Sequence, residues 1–348
     1  MRHYFFSCIR LLALVAAAGS SLAFAQTADP ALDRYAKPGD LIDIGAGRHL
    51  DLRCSGEGSA TVLLEAGALA DSMTWARVQP ALEKSARACA YDRAGLGFSD
   101  GGPLPRDVDA AVADLHALIG AAHLSTPIVF VGHSLGTNIV RRYADRYQAD
   151  VAGLVLVDPP PQNVGEFSPE FAKIDAQMRT QGLGFFKACE KAAAEGHLDS
   201  PPEQLKDCLR GANPAFSDTL NAAIRKNKIR ADAWHTVVSV LETNGPLFDA
   251  PVPAGERHGA IPLVVLTADA AYADAPPADR GALEKAQDAT HTRLVATSTR
   301  GTRVHVPGAS HDLQMDHPQA VVDAVHSVLA QADAKNTKAM TSKPAKKK

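Results

Sequence analysis

Long uncharged hydrophobic runs are scarce in this 348-residue sequence. The run near its start, residues 11–25, has 15 residues, which is short of the ~20 that a helix needs to span a bilayer. Arg2 and Arg10 precede this run, and Ala-Phe-Ala at residues 23–25 has the small-x-small pattern of a signal-peptidase site. We therefore expect residues 1–25 to be a cleaved signal peptide of a periplasmic or secreted protein, with no stable membrane anchor after cleavage. An uncleaved N-terminal anchor is the alternative.

Basic residues are scarce in the body of the chain. The whole sequence holds 36 Lys and Arg against 39 Asp and Glu, a net charge of −3. Two arginines lie in residues 1–25 and six lysines in residues 335–348, so residues 26–334 hold 28 basic against 39 acidic residues, a net charge of −11. An acidic body argues against nucleic acid as a partner. The Lys-rich end is polar and aperiodic, which predicts a disordered basic tail over residues 335–348.

The sequence contains no CxxC pair, and this absence argues against a cysteine metal site. One of the five cysteines, Cys8, lies within the expected signal peptide. The remaining four are Cys54, Cys89, Cys189 and Cys208. In an oxidising compartment they could form two disulfides in any of three pairings, and four free buried thiols are the alternative.

Short apolar segments alternate with amphipathic helical segments after an initial hairpin at residues 41–54. Further strands are expected at residues 61–65, 88–92, 128–132, 153–158, 262–267 and 302–308, and helices at residues 75–86, 108–120, 137–148 and 318–332. Apolar strands that alternate with helices are typical of an α/β fold, in which helices cover both faces of a mostly parallel sheet.

No convincing strand pattern occurs between residues 159 and 260, where helical segments are interrupted by Pro and Gly. This interval predicts a helical cap after the sixth strand, over the sheet edge where ligands bind in such folds. The predicted organisation is a core of residues 26–160 and 261–334 with a cap of residues 161–260.

Two glycines flank His133-Ser134-Leu135 in IVFVGHSLGTNIV, residues 128–140. This GxSxG pattern, with Ser134 at its centre, follows an apolar strand and precedes a helix, as a nucleophile elbow does. A sharp strand-to-helix turn strains the serine backbone, and glycines avoid clashes on either side of it. The turn would also direct the N–H of Leu135 at a developing oxyanion. GxSxG alone is a weak signal, and a turn whose glycines simply end the strand is the alternative.

Four motifs carry a resemblance to the α/β-hydrolase superfamily, which extends from about residue 41 to residue 334. The first is GHSLG itself. EAGALADS, residues 65–72, stands where that family has its oxyanion loop, with Ala66-Gly67 here in place of the frequent His-Gly. YDRAGLGFSD, residues 91–100, matches the loop after the fourth strand, and PGASHDLQMDHP, residues 307–318, matches the loop after the last strand.

This resemblance implies a mostly parallel eight-stranded sheet flanked by helices, with a helical cap inserted after the sixth strand. It implies that Ser134 is a nucleophile and that His311 is its base. The backbone N–H of Ala68 would join that of Leu135 in the oxyanion hole. The nucleophile comes first along the chain and the His last, as in this family. His133 is expected to be a packing residue, because the position before Ser varies in GxSxG.

Two of these motifs have other interpretations, which we do not favour. Gly95 and Gly97 partly match a dinucleotide-binding fingerprint, but Asp100 occupies the place of its third glycine. HDLQMDH, residues 311–317, contains two histidines without a characteristic metal-ligand spacing. No cofactor and no metal are therefore predicted.

In this family a carboxylate completes a catalytic triad with the serine and the histidine. This acid is the site residue that the sequence determines least. The family places it most often after the seventh strand, where Asp269 comes very early and Asp274 rather late. Some members use a carboxylate after the sixth strand instead, where Asp158 ends the segment LVLVD. Asp158 is the preferred acid, with Asp269 and Asp274 as alternatives. Asp158 could also be a hydrogen-bonded strand-end residue without a catalytic role.

The resemblance implies a serine hydrolase, similar to carboxylesterases, that cleaves a carboxylic ester or similar acyl bond in a small molecule, and the expected signal peptide implies that it is exported. The same triad could serve peptide, lactone or C–C bond hydrolysis or cofactor-free haloperoxidase chemistry, and a non-catalytic ligand-binding protein could keep the fold. A Ser nucleophile argues against haloalkane dehalogenases and epoxide hydrolases, which use Asp at this position. The sequence leaves the oligomeric state open.

The same resemblance favours one pairing of the cysteines. In this fold the strands that hold Cys54 and Cys89 are close neighbours in the sheet. Cys189 and Cys208 both lie in the expected cap, on either side of a turn between two helical segments. We therefore predict the disulfides Cys54–Cys89 and Cys189–Cys208.

Overall fold

The structure is a computed structural model that describes residues 29–209 and 211–341. The expected signal peptide, with Cys8, and residues 342–348 of the expected tail lie outside the described residues. In the described part of the chain, no helix has both the length and the apolar character needed to cross a bilayer.

Eight strands form a single sheet. They are β1 Asp40–Asp43, β2 His49–Ser55, β3 Thr61–Glu65, β4 Arg87–Tyr91, β5 Ile128–His133, β6 Val151–Val157, β7 Leu263–Ala268 and β8 Gly301–Val306. Their order is β1-β2-β4-β3-β5-β6-β7-β8. The β1–β2 hairpin and the β2–β4 pair are antiparallel, and all other neighbours are parallel. The predicted mostly parallel sheet is confirmed, and the carboxyl ends of β3 to β8 lie along one edge.

Helices flank this sheet on both faces, and further helices lie in the chain between β6 and β7. They are α1 Gln79–Leu82, α2 Val108–Ala121, α3 Leu135–Arg146, α4 Pro169–Ala194, α5 Asp218–Lys228, α6 Ala231–Asn244, α7 Pro277–Val295, α8 Leu313–Asp316 and α9 Pro318–Thr341. The first expected helix is much shorter than its pattern indicates. The last continues to Thr341, into the segment expected to be disordered, because no Gly or Pro interrupts it after its first residue.

The long helix α7 is not among the helices that the sequence pattern predicts. Its buried residues are Ala286, Gln287, Thr290, His291 and Leu294. A mostly polar helix face is therefore turned toward the core, and hydrophobic periodicity gives little signal for such a helix.

The central strands β3, β5 and β7 are buried on both faces of the sheet, and successive side chains of each strand point to opposite sides. In β5, Phe130 belongs to a hydrophobic cluster that includes residues of α2 and α3. Its neighbours Val129 and Val131 belong to a second cluster, which includes residues of α9. Continuous apolar strands are therefore required here, as in other parallel sheets.

The interval between β6 and β7, residues 159–260, holds α4, α5 and α6, and we call it the insertion. It is helical, as its sequence predicts. Its helix α6, and Arg230 directly before that helix, contact the loop after β4. A Cβ added to Gly95 would lie 1.9 Å from Oγ1 of Thr236 in α6. Arg230 donates to the carbonyl oxygens of Gly97 (3.1 Å) and Ser99 (2.8 Å).

Both predicted disulfides are confirmed. Cys54 and Cys89 are directly opposite partners in the antiparallel pair β2–β4, and their sulfurs are bonded. Cys189 of α4 is bonded to Cys208, and this second disulfide is buried within the insertion. The alternative of four free thiols is wrong.

Removal of the Cys189–Cys208 disulfide is expected to loosen the insertion before the sheet. This disulfide has a sequence separation of 19, for which the chain-entropy treatment gives about 3 kcal/mol of stabilisation. In the variant Cys189→Ala/Cys208→Ala, amide hydrogen exchange should accelerate in α4 and α5 while β5 and β6 stay protected. The matched control, Cys54→Ala/Cys89→Ala, should accelerate exchange in β2 and β4 instead. Unchanged exchange in α4 of the first variant would contradict this expectation.

Candidate active site

Ser134 occupies the sharp turn between β5 and α3, with φ 51° and ψ −124°. A Cβ added to Gly132 would lie 2.6 Å from the carbonyl oxygen of Gly136. A Cβ added to Gly136 would lie 2.6 Å from the carbonyl oxygens of Ala66 and Glu65. A side chain at either position would push the elbow away from the sheet, so the turn itself requires both glycines.

His311 lies in the loop after β8, and its Nδ1 is 2.7 Å from Oδ2 of Asp158 at the end of β6. Asp158 is fully buried. Its other carboxylate oxygen, Oδ1, accepts hydrogen bonds from the backbone N–H of Ala268 (3.1 Å) and from the amide of Gln287 (2.9 Å). The carboxylate is thus held by donors on both oxygens, and it fixes the orientation of the imidazole.

The other two candidate acids lie in the loop after β7. Oδ1 of Asp269 is 2.8 Å from Nδ1 of His305, on the neighbouring strand β8. Asp274 lies further along the same loop. Within the described part of the chain, Asp158 is the carboxylate that the structure places in hydrogen-bonding contact with the His311 ring.

Burial and neighbouring negative charge change the pKa of His311 in opposite directions. Burial lowers the pKa of the imidazole, whereas the hydrogen bond and the charge of Asp158 raise it, and the net pKa is raised above 6.5. The side chain of His311 is nevertheless 33% exposed, so a reactant could reach it. A raised pKa makes the neutral ring a better proton acceptor.

Two polar residues of α7, which sequence reasoning missed, support Asp158. Gln287 donates to the Asp158 carboxylate, and His291 lies one turn later on the same face. Nε2 of His291 is 2.8 Å from the carbonyl oxygen of Pro159, and its Nδ1 is 2.8 Å from Oγ1 of Thr267. Burial lowers the pKa of His291 to about 4, so the ring is neutral at neutral pH. Their spacing of four residues is the only sequence signal that could have pointed to them.

His133, the residue before Ser134, does more than pack. Its Nε2 is 2.9 Å from the backbone carbonyl oxygen of His311, and the two rings are 4.8 Å apart between centroids. Burial and the neighbouring His311 lower the pKa of His133 to about 3. The ring is therefore neutral, and because a carbonyl only accepts, Nε2–H donates to it. His133 thus holds the His311 loop beside the serine turn.

The two backbone groups predicted for the oxyanion hole come from different elements. Leu135 is the first residue of α3, so its N–H lies at a helix N-terminus. Ala68 follows Gly67 in the loop after β3, and a Cβ added to Gly67 would lie 3.4 Å from Cβ of Ser134. The carbonyl oxygens of residues 66–68 all accept hydrogen bonds from Arg93, a residue to which the sequence assigned no role.

The glycines that partly match a dinucleotide fingerprint have internal packing roles instead. Gly95 lies against Thr236, as described above, and a Cβ added to Gly97 would lie 1.9 Å from Oδ2 of Asp92. For metals, no group of three or more His, Cys, Asp and Glu among residues 29–209 and 211–341 is arranged to hold an ion.

Comparisons with known proteins agree with this geometry. The family model for the alpha/beta hydrolase fold matches residues 60–235. The protein YqjL of Bacillus subtilis (strain 168) is 34% identical over 104 residues, which are 30% of this chain and 41% of that protein. The match therefore spans less than half the length of this relative.

Two solved structures show the same fold at low sequence identity. A thermophilic esterase from Thermogutta terrifontis has a TM-score of 0.52 at 21% identity, over 85% of this chain and 99% of its own. An enol-lactonase from Burkholderia xenovorans LB400 has a TM-score of 0.53 at 19% identity, over 83% of this chain and 99% of its own.

Proposed function

Because the chain belongs to the alpha/beta hydrolase fold family, we propose that it is a serine hydrolase that cleaves a carboxylic ester or a similar acyl bond. The observation that carries this proposal is the hydrogen bond of 2.7 Å between Nδ1 of His311 and Oδ2 of Asp158, beside the strained turn of Ser134. A hydroxyl, an imidazole and a buried carboxylate are the groups that nucleophilic acyl transfer requires.

The proposed reaction follows from the positions of the protons. The Asp158 carboxylate accepts the Nδ1–H of His311, which leaves the Nε2 lone pair free to take the proton of the Ser134 hydroxyl. The serine oxygen attacks the carbonyl carbon and forms a tetrahedral intermediate. His311 then gives the proton to the leaving alcohol, which departs and leaves an acyl-enzyme. Water, deprotonated by the same imidazole, hydrolyses the acyl-enzyme and restores the serine.

The charge that develops on the acyl oxygen needs hydrogen-bond donors. In the proposed oxyanion hole these are the backbone N–H groups of Leu135 and Ala68. The first also lies at the positive end of α3, where the helix dipole favours an anion. Two backbone donors would serve without a His-Gly motif, because neither depends on the side chain at residue 66.

An ester-type substrate is supported by the fold's relatives and by the nucleophile. An esterase and an enol-lactonase are among the solved structures that share this fold. We further propose that the insertion is a cap over the substrate. Arg230, directly before its helix α6, is hydrogen-bonded to the loop after β4. In that arrangement the insertion would select the substrate, and the core would supply the chemistry.

Export is part of the proposal, and the two disulfides support it. Both bonds join cysteines that would be reduced in a typical cytosol. The test is to express the full-length chain, recover the periplasmic and extracellular fractions without reductant, and sequence the N-terminus of the protein by mass spectrometry. A mature N-terminus near residue 26 is expected, and an intact Met1 in a membrane fraction would contradict it.

Covalent labelling tests the catalytic proposal directly. A fluorophosphonate probe should modify Ser134, and mass mapping should place the adduct on the tryptic peptide that contains it. Esters of p-nitrophenol with increasing acyl length would then define the substrate. An unlabelled Ser134 in a folded protein would favour the non-catalytic binding protein. Labelling without hydrolysis of any ester would direct attention to peptides, lactones or C–C bonds.

The pH dependence of turnover is expected to follow His311. The reaction needs the neutral imidazole, and the pKa of His311 is raised against the effect of burial, mainly by the hydrogen bond and charge of Asp158 and also by the charge of Asp312. Activity should therefore rise with pH, with a midpoint above 6.5 in a profile of kcat/KM. In Asp158→Asn the residual activity should have a lower midpoint, because burial lowers the pKa of His311 and the main opposing effect, that of the Asp158 carboxylate, is then gone. A midpoint that does not move would show that this carboxylate is not coupled to the titrating group.

A further inference from the structure

Arg93 is a buried arginine outside the proposed triad, and its two terminal nitrogens each donate to two acceptors. Nη1 donates to the carboxylate of Glu65 and to the carbonyl oxygen of Ala66 (2.6 Å). Nη2 donates to the carbonyl oxygens of Gly67 and Ala68, the latter at 2.8 Å. Three successive backbone carbonyls therefore converge on one guanidinium group.

This convergence fixes where the N–H groups of the same loop point. Each carbonyl shares a planar trans peptide unit with the N–H of the next residue, and the two groups point in opposite directions. Because the carbonyls of residues 66–68 face Arg93, the N–H groups of residues 67–69 face away from it. The loop borders the nucleophile, since a Cβ added to Gly67 would lie 3.4 Å from Cβ of Ser134.

Glu65 connects this arginine to the elbow. Its carboxylate is fully buried and accepts hydrogen bonds from the hydroxyl of Tyr91 and from Arg93. A Cβ added to Gly136, in the elbow, would lie 3.0 Å from Cγ of Glu65. Movement of the guanidinium would leave a buried carboxylate without its counter-charge, which is strongly unfavourable. The elbow and the loop are thus held against the same ion pair.

We propose that Arg93 is a positioning residue of the oxyanion hole, which holds residues 66–68 so that the N–H of Ala68 faces the acyl oxygen. This inference rests on the proposed acyl transfer at Ser134. Arg93 acts through the backbone and does not touch the substrate. A lysine cannot take its place, because a single ammonium group lacks the planar fork that reaches several carbonyls at once.

The test uses the full chain and two variants. Arg93→Lys keeps the charge, and Arg93→Met/Glu65→Gln removes both charges, so that no buried charge is left unpaired. The matched control is Arg141→Met/Glu256→Gln. Arg141, in α3, and Glu256, before β7, form a similarly buried pair with hydrogen bonds of 2.7 and 2.6 Å, and neither belongs to the proposed triad or contacts residues 66–68 in the hydrogen bonds described.

Three quantities are measured: kcat and KM for p-nitrophenyl butyrate, the inhibition constant of phenylboronic acid, and hydrogen exchange of residues 66–69. Loss of one oxyanion donor typically lowers kcat by about 10²- to 10³-fold. We expect a fall of about 10²-fold in both Arg93 variants, with KM changed less than about 3-fold. Binding of the boronate, which forms a tetrahedral adduct with serine, should weaken in parallel with kcat. The control should change none of these.

Two results would overturn the proposal: a kcat within about 3-fold of wild type in both Arg93 variants, or an equal loss of kcat in the Arg141 control. Failure of the proposed function has a different signature, since the wild type would then neither hydrolyse esters nor bind the boronate. In that case hydrogen exchange decides. Faster exchange confined to residues 66–69 in the Arg93 variants supports the positioning role, and unchanged exchange there refutes it.

Discussion

Replacement of Ser134 by Ala is expected to abolish ester hydrolysis and to leave the fold intact. Without the hydroxyl no acyl-enzyme forms, and kcat should fall by at least about 10⁴-fold. Stability should hardly change, because the Ser134 side chain makes no capping hydrogen bond to α3 and is partly exposed. The melting temperature should stay within about 2 °C of wild type. Initial rates with p-nitrophenyl butyrate and a thermal melt give both numbers.

The chain offers a matched control for this variant. Oγ of Ser85 is 2.9 Å from Nε2 of His326, so this exposed pair resembles a nucleophile and its base. Ser85→Ala should keep full activity, because Ser85 lies between α1 and β4 and belongs neither to the proposed triad nor to the proposed oxyanion hole. Full activity of Ser134→Ala would contradict Ser134 as the nucleophile. Loss of activity in Ser85→Ala alone would assign the nucleophile to Ser85 instead.

The second large effect is expected for Asp158→Asn, with a fall in kcat on the order of 10⁴-fold. In the wild type, Oδ1 of Asp158 receives two donors, Ala268 N–H and Gln287, and Oδ2 receives a third from His311. An asparagine has one oxygen and one NH2 group. With its oxygen toward the first two donors, its NH2 group faces the His311 ring. The ring must then place its proton on Nε2, and it can no longer accept the proton of the Ser134 hydroxyl.

Asp269→Asn is the control for this substitution. Asp269 contacts His305, in a pair whose side chains are both partly exposed, so its amide should leave turnover near wild type. Parallel kcat measurements on the two variants decide between the candidate acids. A crippled Asp269→Asn beside a normal Asp158→Asn would reverse the assignment.

The sheet could be predicted because its strands satisfy a demanding condition. A central parallel strand is covered on both faces, so it must be apolar along its whole length. All six residues of β5, Ile128–His133, are buried, and the apolar run of the sequence, residues 128–132, covers all of them except His133. The elbow could be predicted for a similar reason, since only glycine fits at Gly132 and Gly136. In both cases the local backbone leaves little choice of residue.

Features that depend on contacts distant in the chain could not be predicted in this way. Asp158 and His311 are separated by 153 positions, and their contact depends on the placement of β6 and of the loop after β8, which no local pattern encodes. Gln287 belongs to a helix with a polar buried face, so no apolar stripe marks it. From the sequence, Arg93 is only a member of the motif at residues 91–100, and the motif indicates no role for it. Its contacts with residues 66–68 depend on the neighbouring placement of β3 and β4.

The contacts of Pro159 and Gln162 mark a suitable boundary for replacing the insertion with that of another protein of this fold. Pro159 directly follows Asp158, and its carbonyl oxygen is hydrogen-bonded to Nε2 of His291. The N–H of Gln162 donates to Oγ1 of Thr290 at 2.9 Å. Both partners belong to α7, so the first residues of the insertion are hydrogen-bonded to a core helix, whereas the side chain of Gln162 also donates to the carbonyl oxygen of Leu247 near the end of the insertion. A graft that begins after Gln162 would therefore replace α4 to α6, the helices of the proposed cap, and the Asp158 carboxylate beside the graft would keep its contacts with the core.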